Sequence, residues 1–171
     1  VAAALIPLSP TDTYCLSWSR FPAWSYYEHP PMVAWSSRGG TALLGENPLG
    51  VRLFTVASTI PTSIAVYFNG KVLFDRRTGA LAVLFINAPL LTGVGSISAT
   101  PDAPSVMFWT LAILGFALVA RTGNGAWWLT VGVAAGLGVA SKLTDLFLGL
   151  GILLAMAASR NLRRWLVSPW Q

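Results

Sequence analysis

Apolar residues along this chain gather into long runs separated by short polar stretches, and the length of each run decides what it can form. Val51 to Gly70 is 20 residues, which at about 1.5 Å per helical residue reaches roughly 30 Å, the thickness of a bilayer's hydrocarbon core. It ends at Lys71. A second run, Ala80 to Ile97, follows Asp75, Arg76 and Arg77 and stops at Thr100-Pro101-Asp102-Ala103-Pro104; a third, Ser105 to Ala120, ends at Arg121. Ala126 to Ala158 is 33 residues, about 50 Å as one straight helix and too long for a single crossing. A break is expected at Ser141-Lys142-Leu143-Thr144-Asp145, because a lysine and an aspartate at membrane depth cost about 2.5–3.5 kcal/mol each. Two short, tilted or re-entrant helices follow from it. At the other end, Val1 to Leu8 reads as the tail of a first transmembrane helix, closed by Pro7 and Pro10.

Thr11 to Gly50 is different in kind. Trp18, Trp24, Tyr26, Tyr27 and Trp35 are interleaved with Asp12, Arg20, Glu28, His29 and Arg38, a composition suited to the headgroup level. Within it, Pro31 to Leu44 has proline in a first helical turn and spaced apolar residues, the pattern of an interfacial helix. With 54% hydrophobic and 10% charged residues, against roughly 25% charged in soluble domains, the chain cannot dress a water-facing globule.

The basic balance, net +5, does not indicate nucleic acid, because the cations stand singly or in pairs between apolar runs. Threading the runs alternately across a bilayer puts Lys71, Arg76, Arg77, Arg121, Arg160, Arg163 and Arg164 on one side, seven of the eleven basic residues. The positive-inside rule makes that side cytoplasmic. The opposite side receives Asp12, Glu28, Glu46, Asp102 and Asp145, five of the six acidic residues. The fold expected is therefore all-α, a polytopic transmembrane helical bundle with an interfacial helical external loop: 1–10 the end of a first helix, 11–50 the external loop, 51–158 about five membrane segments and 159–171 a cytoplasmic tail. Cys15, alone, offers neither a disulfide nor a redox pair.

Three carboxylates on one membrane face, Asp12, Glu28 and Asp102, are candidates for acid–base work or cation binding. Asp102 also suits a plainer role, capping the helix that begins near Pro104. Glu28-His29 is followed by Pro30-Pro31, which either preorganises two polar side chains or makes an interfacial turn; as a metal pair it lacks a nearby third ligand. Lys142 either snorkels to the interface or meets an anion. Arg52, just before an apolar run, is either an interface anchor or a bidentate phosphate ligand.

The ordered set Asp12, Tyr14 to Arg20, Tyr27-Glu28-His29-Pro30-Pro31, Gly50-Val51-Arg52-Leu53, Thr100-Pro101-Asp102-Ala103-Pro104 and Ser141-Lys142-Leu143-Thr144 resembles the dolichyl-phosphate-mannose protein mannosyltransferase-like family. That group includes bacterial aminoarabinose transferases acting on lipid A and belongs to the GT-C glycosyltransferases. The resemblance covers essentially the whole chain and corresponds to the N-terminal part of a family member. It implies an inverting membrane enzyme that moves a sugar from a polyprenyl-phosphate carrier to a lipid or protein acceptor on the non-cytoplasmic face of the plasma (inner) membrane. Family members usually carry an Asp-Glu pair at the start of the first large loop, the first residue being the catalytic one; here the pair reads Thr11-Asp12. Either Thr11 stands in the catalytic place and Asp12 in that of the glutamate, or Asp12 shifts to take over.

Under that resemblance Asp12 is the expected general base, Glu28 and Asp102 position the acceptor or a divalent metal, and His29, Arg52 and Lys142 bind the departing polyprenyl phosphate. Beyond that donor, which enters as a substrate, a divalent metal is the one candidate cofactor, and the partners are membrane lipid, the lipid-linked sugar and its acceptor, with no nucleic acid. Two rival readings are an inactive truncated glycosyltransferase and a transporter piece. A transporter would show paired interrupted helices in symmetric halves, whereas this chain has one interruption and no internal repeat.

Overall fold

The computed structural model describes residues 2–88 and 98–167, and every described secondary-structure element is helical. In chain order these are α1 (Ala2–Leu5), α2 (Pro10–Arg20), α3 (Met32–Leu44), α4 (Pro48–Ala57), α5 (Thr59–Leu73), α6 (Arg76–Asn87), α7 (Asp102–Thr122), α8 (Trp127–Ser141), a single 3-10 turn (Leu143–Asp145), α9 (Leu146–Ala158) and α10 (Arg164–Val167). Among the described residues two stretches are long and apolar enough to cross a membrane, Pro48–Leu73 and Asp102–Thr122, while Trp127–Ser141 and Leu143–Ala158 are shorter apolar helices.

The run expected from Val51 to Gly70 begins three residues earlier and is two helices joined at Ser58. Pro61 explains the joint: it has no N–H to offer the Ala57 carbonyl, so the ladder is interrupted one turn before it. The second run starts at Arg76, where Asp75 caps α6 by accepting the Thr78 N–H at 2.7 Å; positions 89–97 of that run lie outside the described residues. The break near Lys142 is present. α8 stops at Ser141, Lys142 is extended (φ −151°, ψ 129°), and one 3-10 turn leads into α9. Between Thr11 and Gly50 the helix expected from Pro31 to Leu44 is present as α3, but α2 was not expected from composition. Its signal is the Ser9-Pro10-Thr11-Asp12 start, a capping box with proline in the first turn.

α7 packs along α8, α5 lies against both α6 and α7, and α3 is laid on α4. The α5–α6 hairpin is drawn tight by Gly70 and Gly79: a Cβ on Gly70 would come within 2.6 Å of the Gly79 Cα, so only hydrogen fits, as in close helix pairs in membranes. α7 ends at Gly123, whose φ of 67° is the left-handed conformation that closes a helix at low cost. At that end the Arg121 guanidinium donates to the Leu73 carbonyl at 2.9 Å, tying α7 to the α5–α6 turn.

Small buried clusters mark the two ends. Cys15, Val33, Val51 and Ala99 form one, with Leu8, Leu16 and Trp18 packed on it; Val119, Met156 and Trp165 form the other. Outside them large apolar side chains stand open, Phe85 at 73% and Leu129 at 74% exposure, a surface that suits lipid rather than water.

Candidate functional site: two ion pairs at one end of the helices

Asp12 sits at the third position of α2, where its carboxylate accepts the N–H and the hydroxyl of the capping residue Ser9, both at 2.8 Å. The same oxygen accepts Arg52 Nη2 at 2.6 Å and Nε at 3.2 Å, and the other oxygen accepts the Ala99 N–H at 2.6 Å. Asp12 and Arg52 are 0% and 1% exposed. Arg52 spends its remaining donors on the carbonyls of Ala3 (3.1 Å), Ile6 (2.8 Å) and Pro7 (2.8 Å), the last turn of α1 and the chain leaving it. All five guanidinium N–H groups are used.

Burial pushes the Asp12 carboxyl up, but the hydrogen bonds from Arg52, Ala99 and Ser9 outweigh it and hold the group below the usual aspartate range. A carboxylate so buried and so bonded presents no face to a substrate in this arrangement, and a role as general base would require its pair with Arg52 to open. Thr11, its neighbour, is exposed. Burial, together with the Asp12 charge, also pushes the Cys15 thiol up to about 11, so it stays protonated and donates to the Ala99 carbonyl at 3.3 Å.

The second pair is open. Lys142 Nζ donates to Asp102 Oδ1 at 2.6 Å, with side chains 40% and 61% exposed. Asp102 begins α7 without a side-chain capping bond, so of its two expected roles the capping one is not realised, although a negative charge in the first turn still complements the helix dipole. Asp102 lies three residues beyond Ala99, at most about 11 Å of extended chain; the bond from Ala99 to Asp12 therefore brings the two ion pairs to one neighbourhood.

Glu28 and His29 occupy the loop before α3. The His29 ring meets Trp18 edge-on at 5.8 Å, Trp18 stacks on Tyr26 at 5.0 Å, and the Tyr26 N–H donates to the His29 carbonyl at 3.1 Å. Trp18 lies on the cluster that contains Ala99, so the loop is anchored beside the buried pair. Glu28 is exposed and joins neither ion pair among the described residues. The structure thus joins Asp12 with Arg52 and Asp102 with Lys142, and leaves Glu28 and His29 as a third, separate group. Among the described residues no three His, Cys, Asp or Glu side chains gather to hold a metal, and Asp102 is paired with the Lys142 ammonium.

Sequence reasoning missed Ser9, Ala99 and Trp18 as supports. Ser9 carried a readable signal in its capping-box spacing; Ala99 contributes a backbone N–H, which any residue but proline carries.

Comparison with known proteins adds what geometry lacks. Residues 28–171 match the family described as dolichyl-phosphate-mannose-protein mannosyltransferase. The chain is 32% identical over 124 residues to an undecaprenyl phosphate-alpha-4-amino-4-deoxy-L-arabinose arabinosyl transferase of Erwinia tasmaniensis, covering 68% of this chain and 22% of that protein. A protein of the same description from Pseudomonas savastanoi pv. phaseolicola is 32% identical over 123 residues, 68% and 23% of the two chains, and one from Pseudomonas aeruginosa is 33% identical over 147 residues, 82% and 26%. The chain spans about a quarter of the length of these relatives. No solved structure matches it.

Proposed function

The chain belongs to the dolichyl-phosphate-mannose-protein mannosyltransferase family, and from that membership we propose that it is the N-terminal membrane part of a glycosyltransferase drawing its sugar from a polyprenyl-phosphate carrier. The observation that carries this reading is the family match over 28–171, which takes in Glu28, Asp102 and Lys142. The relatives' descriptions name an undecaprenyl-phosphate-linked aminoarabinose, which supports a sugar of that class as donor; lipid A as acceptor follows from the resemblance alone. The distribution of basic residues supports a polytopic arrangement in the inner membrane with Thr11 to Gly50 and Asp102 on the non-cytoplasmic face.

In this reading the acceptor hydroxyl attacks the sugar C1, its proton passes to a carboxylate, and the C1–O bond breaks with the electron pair leaving on polyprenyl phosphate. Lys142, released from Asp102 by the incoming phosphate, stabilises that developing charge, as a preorganised cation does best. Glu28, exposed and joined to neither ion pair, receives the proton, with His29 beside it. Asp12 and Arg52 hold the loops in place; either would reach substrate only if their own pair opened.

The test is transfer by the full-length protein, reconstituted in lipid with a polyprenyl-phosphate aminosugar and lipid A. Glu28→Gln and Lys142→Ala are each expected to lower the transfer rate at least tenfold without loss of membrane insertion. Native-level transfer in both variants would sink these assignments. Absence of any transfer by the correctly inserted full-length protein, with this or other polyprenyl-phosphate sugars, would favour the degenerate reading.

A further inference from the structure

The first turn of α7 and the break between α8 and α9 meet through two rungs of matched spacing. Asp102 and Ser105 stand three positions apart on α7, and Lys142 and Asp145 stand three apart across the break. Lys142 Nζ donates to Asp102 Oδ1 at 2.6 Å, and Ser105 Oγ donates to Asp145 Oδ1 at 2.8 Å. Asp102 and Ser105, three apart on one helical turn, share a face, so the two contacts form one seam. Its outer rung is open to solvent. Its inner rung is closed: Ser105 is 6% and Asp145 2% exposed.

The backbone around the inner rung is equally committed. The Lys142 N–H donates to the Gly138 carbonyl at 2.8 Å and the Asp145 N–H to the Lys142 carbonyl at 3.0 Å. A Cβ on Gly138 would come within 2.7 Å of Asp145 Oδ2, so the glycine leaves the space that this oxygen fills. Oδ2 itself has no hydrogen-bond partner among the described residues. A buried carboxylate satisfied on one oxygen is a cost in stability; what it returns is a fixed position for the turn that carries Lys142. A lysine side chain is long and loses much rotamer freedom when ordered, and fixing its backbone removes part of the search.

We propose that Ser105 and Asp145 are positioning residues: their buried hydrogen bond sets the helix break so that the Lys142 ammonium is presented beside Asp102, where the phosphate of a lipid-linked substrate displaces the carboxylate. The substrate half rests on the function proposed above; the positioning half does not.

Spin labels on cysteines introduced at Ala103 and Leu143, in the full-length protein in lipid nanodiscs with Cys15 replaced by alanine, report the seam directly. Short-range coupling between the labels is expected in the otherwise native protein, to be weakened by Ser105→Ala, which removes a single oxygen, and by Asp145→Ala. Ser105→Thr and Asp145→Asn, which keep the donor and the acceptor, are expected to restore it. In unlabelled protein Ser105→Ala should raise the donor KM several-fold while kcat changes less than twofold. Coupling that is indifferent to Ser105→Ala overturns the positioning role; lost coupling with an unchanged donor KM overturns the link to substrate. If the full-length protein transfers no sugar while the coupling responds as described, the glycosyl-transfer reading fails and the positioning role stands.

Discussion

The Asp12–Arg52 and Asp102–Lys142 pairs have the same separation, 2.6 Å, and opposite surroundings. One is sealed among carbonyls and amides and uses every donor of its guanidinium; the other stands half in solvent and uses one. Distance alone would rank them equal. Burial separates them, because a charge removed from water must find all its partners in the protein, while an exposed ion pair is worth little to stability and can be exchanged for another anion at little cost. The sealed pair is suited to holding structure and the open pair to meeting a ligand.

The largest expected effect breaks the sealed pair. Arg52→Ala strands a buried carboxylate and frees three carbonyls, and should lower the stability of the full-length protein by about 3–5 kcal/mol, read from its thermal or denaturant unfolding in detergent. Arg52→Lys, lacking the five-donor fork, should recover less than half of that. Next comes the exposed position beside it. Thr11→Asp places a carboxylate where the resemblance puts the catalytic aspartate and should raise transfer above the level that Glu28 alone supports, by roughly 10²-fold or more, measured with the lipid-linked donor; no gain would show that position 11 does not reach the acceptor hydroxyl.

The open pair should behave in the opposite way. Lys142→Ala is expected to move unfolding by less than about 1 kcal/mol while lowering transfer, so a stability loss as large as that of Arg52→Ala would erase the distinction drawn between the pairs. The smallest effect is in pH. The folded Asp12 carboxyl lies below its ordinary value of 3.8, so the folded state binds fewer protons than the unfolded one. Its contribution is complete above that ordinary value and is lost as pH falls through the lower, folded one. Melting temperatures should fall more steeply with acidification in the native protein than in Asp12→Asn.

The helix break at Lys142 was legible because a mostly apolar run of 33 residues cannot span one bilayer straight and a lysine with an aspartate marks where it yields. The α7 span was legible for a similar reason, an uninterrupted apolar stretch closed by an arginine and a glycine. The joint at Ser58 was less so, since one proline inside an apolar run does not say which side of it the helix will part. The pairings were not legible at all: Asp12 finds Arg52 at 40 positions and Ala99 at 87, and Lys142 finds Asp102 at 40. Periodicity reports which face a residue occupies on its own helix, and it carries nothing about the partner across the gap. Hence the sequence shows Asp12 as an aspartate near a helix start and nothing of its burial against Arg52.

Arg52 also imposes an order of assembly. Its partners lie in α1, in the strand of chain leaving it and in α2, all made before it during synthesis, whereas the Ala99 amide that completes the Asp12 carboxylate comes nearly fifty residues later. The guanidinium can therefore be satisfied as soon as α4 emerges, while the acid waits one donor short for the turn before α7. Such widely separated contacts close slowly, and until the last one forms the nascent chain carries a carboxylate one donor short of its full set.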